Sequence, residues 1–401
     1  MAITEVKAIN AQIDKVNAML GLMVGEGMGS SMEPEDISRI VRMGLAPKIF
    51  SVGDQISIPW KDVAADVSYT IPCDIVDNDA TVELEDGEQV PAMIIQWHYC
   101  TPFGVQFDAN EALYYCSEAL PAGTYYFTIG SAWGSNLYKA GTTIQFTLTT
   151  AVPAGGQLVL TQGTVDISSI SSFKVYTYSS ATSTTAIETA QCSLGSSGTS
   201  LGTLSNTTPF GTSGLNHMHR CNYGYNRWSQ SALRQYLNSN AAKGSWWTPQ
   251  NNYDRPPAEL STKAGFLTGF DERILEMFKP IKLITALNTA SDSAIGESEV
   301  TYDTFFLPSK TNLNLNQQYT EGEVWPYWYR ATKGEKPADY TNGAAPITYG
   351  IDNTANAQTV RLRSATRGNA YLTWSVVSNG YVSSGHYATS SRRFTPAAAI
   401  C

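Results

Sequence analysis

Between Phe50 and Leu160 apolar and polar residues alternate in short runs, and this alternation narrows the fold more than any other feature of the chain. Ile144, Phe146 and Leu148 alternate with Gln145 and Thr147, and Tyr125, Phe127 and Ile129 repeat the pattern after Pro121-Ala122-Gly123. Side chains of a strand point to opposite faces in turn, so a period of two marks strands with one buried face. Val90 to Tyr99 reads as a longer, more apolar strand. Short strands at this spacing, punctuated by Gly and Pro, predict a sandwich or barrel, and the expectation over 49–160 is a β-sandwich-like middle domain. Asp77-Asn78-Asp79 reads as a polar turn, with a calcium loop as the alternative. The Ser/Thr/Gly-rich stretch 161–215 holds strand-like pieces such as Phe173-Lys174-Val175-Tyr176, which predict an exposed β-region.

The flanks differ. Over 1–24, Val6, Ile9, Ile13, Val16, Leu20 and Met23 alternate spacings of three and four, the a/d repeat of a coiled coil. β-branched residues at several of these positions lean toward a homotrimer, while a single amphipathic helix fits as well. A Gly/Ser/Met linker follows, and Glu33-Pro34-Glu35-Asp36 opens a short helix with Pro and acids in its first turn. Residues 1–48 are thus a helical attachment or oligomerisation segment. From about 216 the character changes: Ser231 to Asn238 and Asp271 to Phe278 predict helices, and irregular β follows. The fold class expected is α+β and multidomain, with a third domain over 216–401.

Charge and cysteine usage exclude several functions. A net charge of −9, without a Lys/Arg cluster, disfavours a nucleic-acid binder. The cysteines at 73, 100, 116, 192, 221 and 401 lack the spacing of a zinc or redox site, and read as buried free thiols. No apolar run is long enough to span a bilayer, so no membrane insertion is expected. The first residues lack the pattern of a signal peptide, which predicts synthesis in a cytoplasm.

The stretch Gly368 to Ser391 holds no Asp, Glu, Lys or Arg. Tyr, Trp, Ser, Gly and Asn dominate it, a composition like that of antibody binding loops, although an ordinary polar hairpin would share it. Asn379-Gly380 predicts a type I′ turn, pairing Tyr371–Ser378 with Tyr381–Tyr387. Arg361-Leu362-Arg363-Ser364 and Arg392-Arg393-Phe394 flank the stretch as framework.

Nothing in the chain signals catalysis. There is no Gly-x-Ser-x-Gly elbow, phosphate-binding loop or dinucleotide fingerprint. His217-Met-His219 would place two imidazoles on one face of a strand, without an acidic or Cys cluster beside them in sequence. Asp271, Glu272, Asp303 and Glu321 are candidates for a carboxylate pair, without special merit. The expectation is a protein that is not an enzyme and uses no cofactor or metal.

Six stretches stand out together: Tyr225-Asn-Arg-Trp-Ser-Gln-Ser-Ala-Leu-Arg-Gln-Tyr-Leu-Asn238, Gly244-Ser-Trp-Trp247, Tyr302-Asp-Thr-Phe-Phe-Leu-Pro-Ser309, Glu321-Gly with Trp325-Pro-Tyr-Trp328, Val360-Arg-Leu-Arg-Ser-Ala365 and Arg393-Phe-Thr-Pro-Ala-Ala398. They resemble the target proteins of diversity-generating retroelements found in phages and prophages of gut bacteria. The resemblance covers about 216–401; Ile40-Val-Arg-Met-Gly-Leu-Ala-Pro47 and Gly53-Asp-Gln-Ile-Ser-Ile-Pro-Trp60 also look like the N-terminal halves of such phage proteins. It implies a C-type-lectin-like C-terminal domain whose gene is rewritten at template adenines by an error-prone reverse transcriptase. Asn codons treated this way do not yield Lys, Glu, Gln, Met or Trp, and 369–391 holds none of these except Trp374, which would be framework. The ligand-binding, variable positions implied are Tyr371, Leu372, Thr373, Ser375, Tyr381, Ser383, Ser384, His386, Tyr387, Thr389 and Ser390.

The function expected is that of a phage receptor-binding or host-attachment protein, located in the virion. Its partners would be a host cell-surface protein or glycan, and other virion proteins through the N-terminal segment. The alternative is a structural virion protein, a capsid decoration or baseplate component, without a diversified role. A formylglycine-generating enzyme on the same fold would need a reactive cysteine pair, for which only Cys221 and Cys401 are available.

Overall fold

The computed structural model describes residues 32–130, 139–161, 170–206, 214–315, 321–332 and 347–401. It is mostly β, with 39% strand and 14% helix. This overturns the expected α+β class. The α-helices among the described residues are short, and the longest, Pro34–Arg42, has 9 residues. The helix expected over 231–238 is Ala232–Leu237, capped by the Ser231 hydroxyl and ended at Asn238. The one expected over 271–278 shrinks to Glu272–Leu275, because Met277 and Phe278 turn into the core. The coiled coil expected over 1–24 lies outside the described residues, and no long helix or coiled coil occurs among them. No described helix is long and apolar enough to cross a membrane.

The middle is not a sandwich of its own strands. Gln55–Asp62, Val67–Glu83 and Gln89–Trp97 form an antiparallel meander, and two distant strands complete that sheet: Ala397–Ile400 and then Phe305–Phe306. Ala398 pairs with Ile95 and Phe305 with Ala398. The strand Ala397–Ile400 is buried throughout, as is Ala92 to Trp97 beside it. Small alanine side chains leave room for aromatic residues around them. One sheet is therefore shared between the stretches 49–160 and 216–401. Helix Pro34–Arg42 packs against it, burying Ile37, Ile40 and Val41. Asp77-Asn78-Asp79 is not a turn; it lies within Val67–Glu83 where the register shifts around Asp77.

Trp60, Trp97 and Phe266 meet at ring distances of 5.4 Å in the core beside this sheet. The Trp60 indole donates to the Phe266 carbonyl at 3.2 Å, so a buried polar atom is satisfied.

A second sheet has eight strands, running from Thr199–Leu204 through Gly123–Ile129, Thr143–Leu148, Glu188–Leu194, Lys174–Tyr178, Gln157–Thr161 and Tyr114–Tyr115 to Gly214–Leu215. Its two end strands touch, so the sheet curls back on itself around a separate core that includes Phe127, Phe146, Leu158 and Val175. The alternation at 125–129 and 144–148 matches this burial residue by residue. Four small sheets complete the described residues: Ile281–Ala286 with Ser298–Asp303, Thr348–Gly350 with Asn353–Gln358, Ser391–Arg392 with Val105–Gln106, and Val360–Ala365 with Leu372–Val376 and Val382–Tyr387.

Candidate functional site

The last of these sheets carries the uncharged stretch. Leu372–Val376 and Val382–Tyr387 pair antiparallel, with Leu372 opposite Tyr387 and Val376 opposite Val382. The hairpin lies where Asn379-Gly380 predicts it, but the turn is of another kind. Gly380 has φ 84°, while Asn379 is not in the left-handed region. The Gly380 N–H donates to Val377 O and the Val377 N–H to Tyr381 O, each at 2.8 Å. This is a three-residue loop closed by a left-handed glycine, not the two-residue type I′ turn.

The eleven positions singled out do not share one face. Tyr381 is 65% exposed and Tyr387 40%. Tyr371, Leu372, Ser383, Ser384, His386, Thr389 and Ser390 are half-buried. Thr373 and Ser375 are fully buried and cannot touch a ligand from this surface. They point inward because a strand alternates its faces, and Thr373 there meets Arg361. That guanidinium, itself fully buried, donates to the Thr373 hydroxyl, to Ser390 O at 2.6 Å and to Tyr387 O at 3.2 Å. Burial, helped by nearby Arg392, pulls the Arg361 pKa down to about 9. Arg363 is also buried, and donates to Leu307 O at 2.8 Å, Asn312 Oδ1 at 2.7 Å and Glu321 O at 3.0 Å. These two arginines tie the hairpin and its neighbouring loops together from beneath. Trp374 is half-buried, with the Lys310 ammonium 3.7 Å from its ring centre.

An aromatic cluster crosses from the hairpin to the helix Met218–Tyr223. Tyr223 and Tyr387 stack at 3.9 Å and 11°. Tyr371 lies 5.3 Å from Tyr223, and His219 lies 4.5 Å from Tyr371. Backbone bonds lock the junction: the Thr389 N–H donates to Tyr223 O at 3.0 Å, and the Ala388 N–H to Tyr371 O at 2.9 Å. Asn226 is fully buried, and its amide donates to Asn369 O and Leu372 O at 2.7 Å. It thereby fixes the loop that leads into the hairpin. Gly224 ends the helix at φ 77°, and a Cβ there would meet Ala109 O at 2.7 Å, so only glycine lets the helix end approach this closely.

Tyr223 and Asn226 are not among the candidates of the sequence, because they reach the hairpin from far upstream; His219 is, but as half of an imidazole pair and not as a neighbour of Tyr371. His217-Met-His219 is not a strand. His217 caps the helix, its Nδ1 accepting from the His219 N–H at 3.2 Å. Burial, then Arg220 and His219, drives the His217 pKa down to about 3. Burial alone takes His219 to about 4, and burial with Arg392 and Arg361 takes His386 to about 4. All three imidazoles are therefore neutral near pH 7.

The remaining candidates are structural. Asp303 is buried and accepts from Trp228 Nε1 at 2.8 Å and Thr301 Oγ1 at 2.9 Å. Glu321 is buried and accepts from the Ala286 N–H at 3.1 Å and from the Ser364 hydroxyl. Asp271 caps its helix by accepting from the Arg273 N–H at 3.0 Å, and Glu272 is exposed. All six cysteines are free and buried, and burial raises the Cys221 thiol and takes Cys401 to about 11. Thiols so protonated are poor nucleophiles.

Among the described residues Asp108, Glu111 and Asp254 bring ligand atoms within 4.8 Å of one another, all buried. The carboxylates of Glu111 and Asp254 are already engaged. Arg220 donates to both oxygens of Glu111, at 2.8 and 2.7 Å. Asp254 accepts from the Asn251 N–H at 3.1 Å and from the Gln250 N–H. Burial and the Glu111 charge lift the Asp254 pKa to about 8. This is a hydrogen-bonded strut between the loop before Tyr114–Tyr115 and the helix that carries Tyr223.

No curated protein and no solved structure matches the chain. Residues 206–400 match the model of a family described as a domain of unknown function, DUF6273, a span that holds the aromatic cluster, the hairpin and the buried arginines, but not the strand Gln89–Trp97 with which Ala397–Ile400 pairs.

Proposed function

We propose that the chain is a ligand-recognition protein of the retroelement-diversified kind, and that it attaches a phage particle to a host cell-surface protein or glycan. The observation that carries this reading is a set of tyrosines at the surface, Tyr381, Tyr387, Tyr371 and Tyr223, held on backbone that buried Arg361 and Asn226 fix from below. Tyrosine supplies rigid contact area with a polar tip, at little cost in side-chain entropy. A locked scaffold under such side chains lets the surface change while the core does not. Recognition would be non-covalent.

On this reading the varied, ligand-facing set is Tyr371, Leu372, Tyr381, Ser383, Ser384, His386, Tyr387, Thr389 and Ser390. Thr373 and Ser375 belong to the support. The test compares attachment to host cells of the wild type and a variant with Tyr371, Tyr381 and Tyr387 all changed to Ala. Attachment should fall sharply, and unchanged attachment rejects the assignment. Flanking DNA should also hold a reverse transcriptase gene and a near-copy of the segment encoding 369–391.

A further inference from the structure

Beneath the hairpin two arginines approach each other without an acid between them. Arg361 is fully buried, and its side-chain acceptors are the Thr373 hydroxyl and the carbonyls of Tyr387 and Ser390, none of them charged. Its Nε is buried without a partner. The Arg361 N–H donates to Arg393 O at 2.9 Å, which draws the strand Ser391–Arg392 alongside. Arg392 is half-buried, and among the described residues its guanidinium makes no hydrogen bond and no ion pair. Glu259 accepts from the Ser391 hydroxyl, one residue away, and forms no ion pair with Arg392. Charge taken from water is ordinarily paired, so positive charge is left uncompensated on this side of the hairpin.

The strands bring further polar atoms to the same face. Ser375 is the cross-strand partner of Arg361, Ser383 of Ser375, and His386 of Thr373. Opposed residues of an antiparallel pair point to one side, so these side chains share the face that carries Arg361. The Ser375 hydroxyl and His386 Nε2 are buried without a hydrogen-bond partner. Burial, then Arg392 and Arg361, takes the His386 pKa to about 4, so both cations act on this ring. Ser383, His386 and Arg392 are half-buried and form an accessible rim, while Arg361 and Ser375 form the floor. The outer edge of Val382–Tyr387 is broken here: the register shifts between Ser383 and His386, and the Gly385 N–H turns to the Ser383 hydroxyl at 3.2 Å. A bulge of this kind interrupts the ladder that an added strand would need.

We infer that Arg392, His386 and Ser383, above buried Arg361, hold the carboxylate of an acidic sugar on the ligand. The inference rests on reading the hairpin as a recognition surface, and it names the chemistry that surface selects. The planar guanidinium of Arg392 matches the two oxygens of a carboxylate. The neutral imidazole can donate from Nε2, and the Ser383 hydroxyl can bond a sugar hydroxyl. Arg361 lies too deep to touch the sugar, and acts by drawing the anion toward the floor. A peptide could carry the same carboxylate on a side chain, but the broken edge gives its backbone no ladder to join.

The test titrates the full chain by calorimetry with trigalacturonate and sialyllactose, beside the methyl ester of the first and lactose as neutral counterparts. A blocked peptide of alternating Glu and Ser, and inorganic phosphate, are the other arms. At least one acidic sugar should bind, and its neutral counterpart should not. Arg392→Gln and Arg392→Lys should each weaken binding about ten-fold or more, the second because an ammonium keeps the charge and loses the fork. Melting temperatures of both variants without ligand separate loss of the site from loss of the fold. Binding by neither acidic sugar, equal binding by the neutral counterpart, or unaffected binding by folded Arg392→Gln each overturns the site. The peptide or phosphate binding as tightly, or Arg392→Lys binding like the wild type, overturns the sugar carboxylate and leaves only a cationic patch. No cells enter the titration, so its failure leaves the host-attachment test of the tyrosines untouched, and failure of that test leaves a measured sugar affinity standing.

Discussion

The rings of Tyr223 and Tyr387 lie 3.9 Å apart and 11° from parallel. One comes from a helix and the other from the far end of a hairpin, so the contact staples two elements distant in sequence. Aromatic pairs contribute about 0.5–1.5 kcal/mol beyond the area they bury. Tyr223→Ala should therefore lower stability by about that amount. It should also weaken attachment, by freeing the ring of Tyr387, although residue 223 lies outside the stretch 369–391. Melting curves and host-cell binding of the single variant check both.

Arg361→Ala should be among the most damaging substitutions near the site. It strips a buried donor from Ser390 O, while the Thr373 hydroxyl keeps its bond to His386 O and Tyr387 O keeps the Ser390 N–H. Each unsatisfied buried group costs about 1–3 kcal/mol. Ser384→Ala, on the outer part of the same hairpin, should change stability by less than about 0.5 kcal/mol. Chemical denaturation of the two variants distinguishes them.

Stability should fall as pH rises from about 6.5 to about 8, through Asp254. Its folded pKa of about 8 stands above the usual 3.8, so the folded state holds more protons than the unfolded state between those values. Stability then declines with rising pH across that window. His217, His219 and His386 act in the opposite sense. Their folded values of about 3, 4 and 4 lie below 6.5. Below pH 6.5 the unfolded state takes up more protons at these rings, and stability drops on acidification. Melting temperatures from pH 4 to 9 should peak between, and Asp254→Asn should flatten the alkaline side and steepen the fall on acidification, where Asp254 opposes the histidines.

Gly224→Ala should displace the helix end that presents Tyr223. The new Cβ would sit 2.7 Å from Ala109 O and 3.2 Å from the Ala388 Cβ, at φ 77°. Overpacking of this sort costs about 1–3 kcal/mol. Ligand binding should fall with the melting temperature, and Gly244→Ala, at φ 88° with open space around it, should lower only the latter. Attachment assays on both variants separate local strain from lost positioning.

The alternating strands at 125–129 and 144–148 were legible because each has one wet face. The hairpin was legible from Asn379-Gly380. The phase of its strands was not, because an all-polar stretch gives no hydrophobic pattern to say which residues turn inward, and so Thr373 and Ser375 were placed on the wrong side. Ala397–Ile400 falls in the stretch expected to be irregular β, although alanine by itself favours helix. It becomes a strand because Gln89–Trp97 and Phe305–Phe306 leave a place between them, and context decides β-structure more than propensity does. Tyr223 could not be assigned to the site from sequence, since its approach to Tyr387 depends on the strut at Glu111 and Arg220.

The order of the last two elements has a consequence for inheritance. The hairpin precedes Ala397–Ile400, which closes the gap in the five-stranded sheet. Any message that shifts frame or stops within 368–391 loses that strand, and with it the pairing that joins Gln89–Trp97 to Phe305–Phe306. A product cut short there lacks the strand at the centre of the core, whereas a substitution in the outer hairpin leaves that strand in place, so the last residues of the chain make folding depend on the whole hairpin being read through.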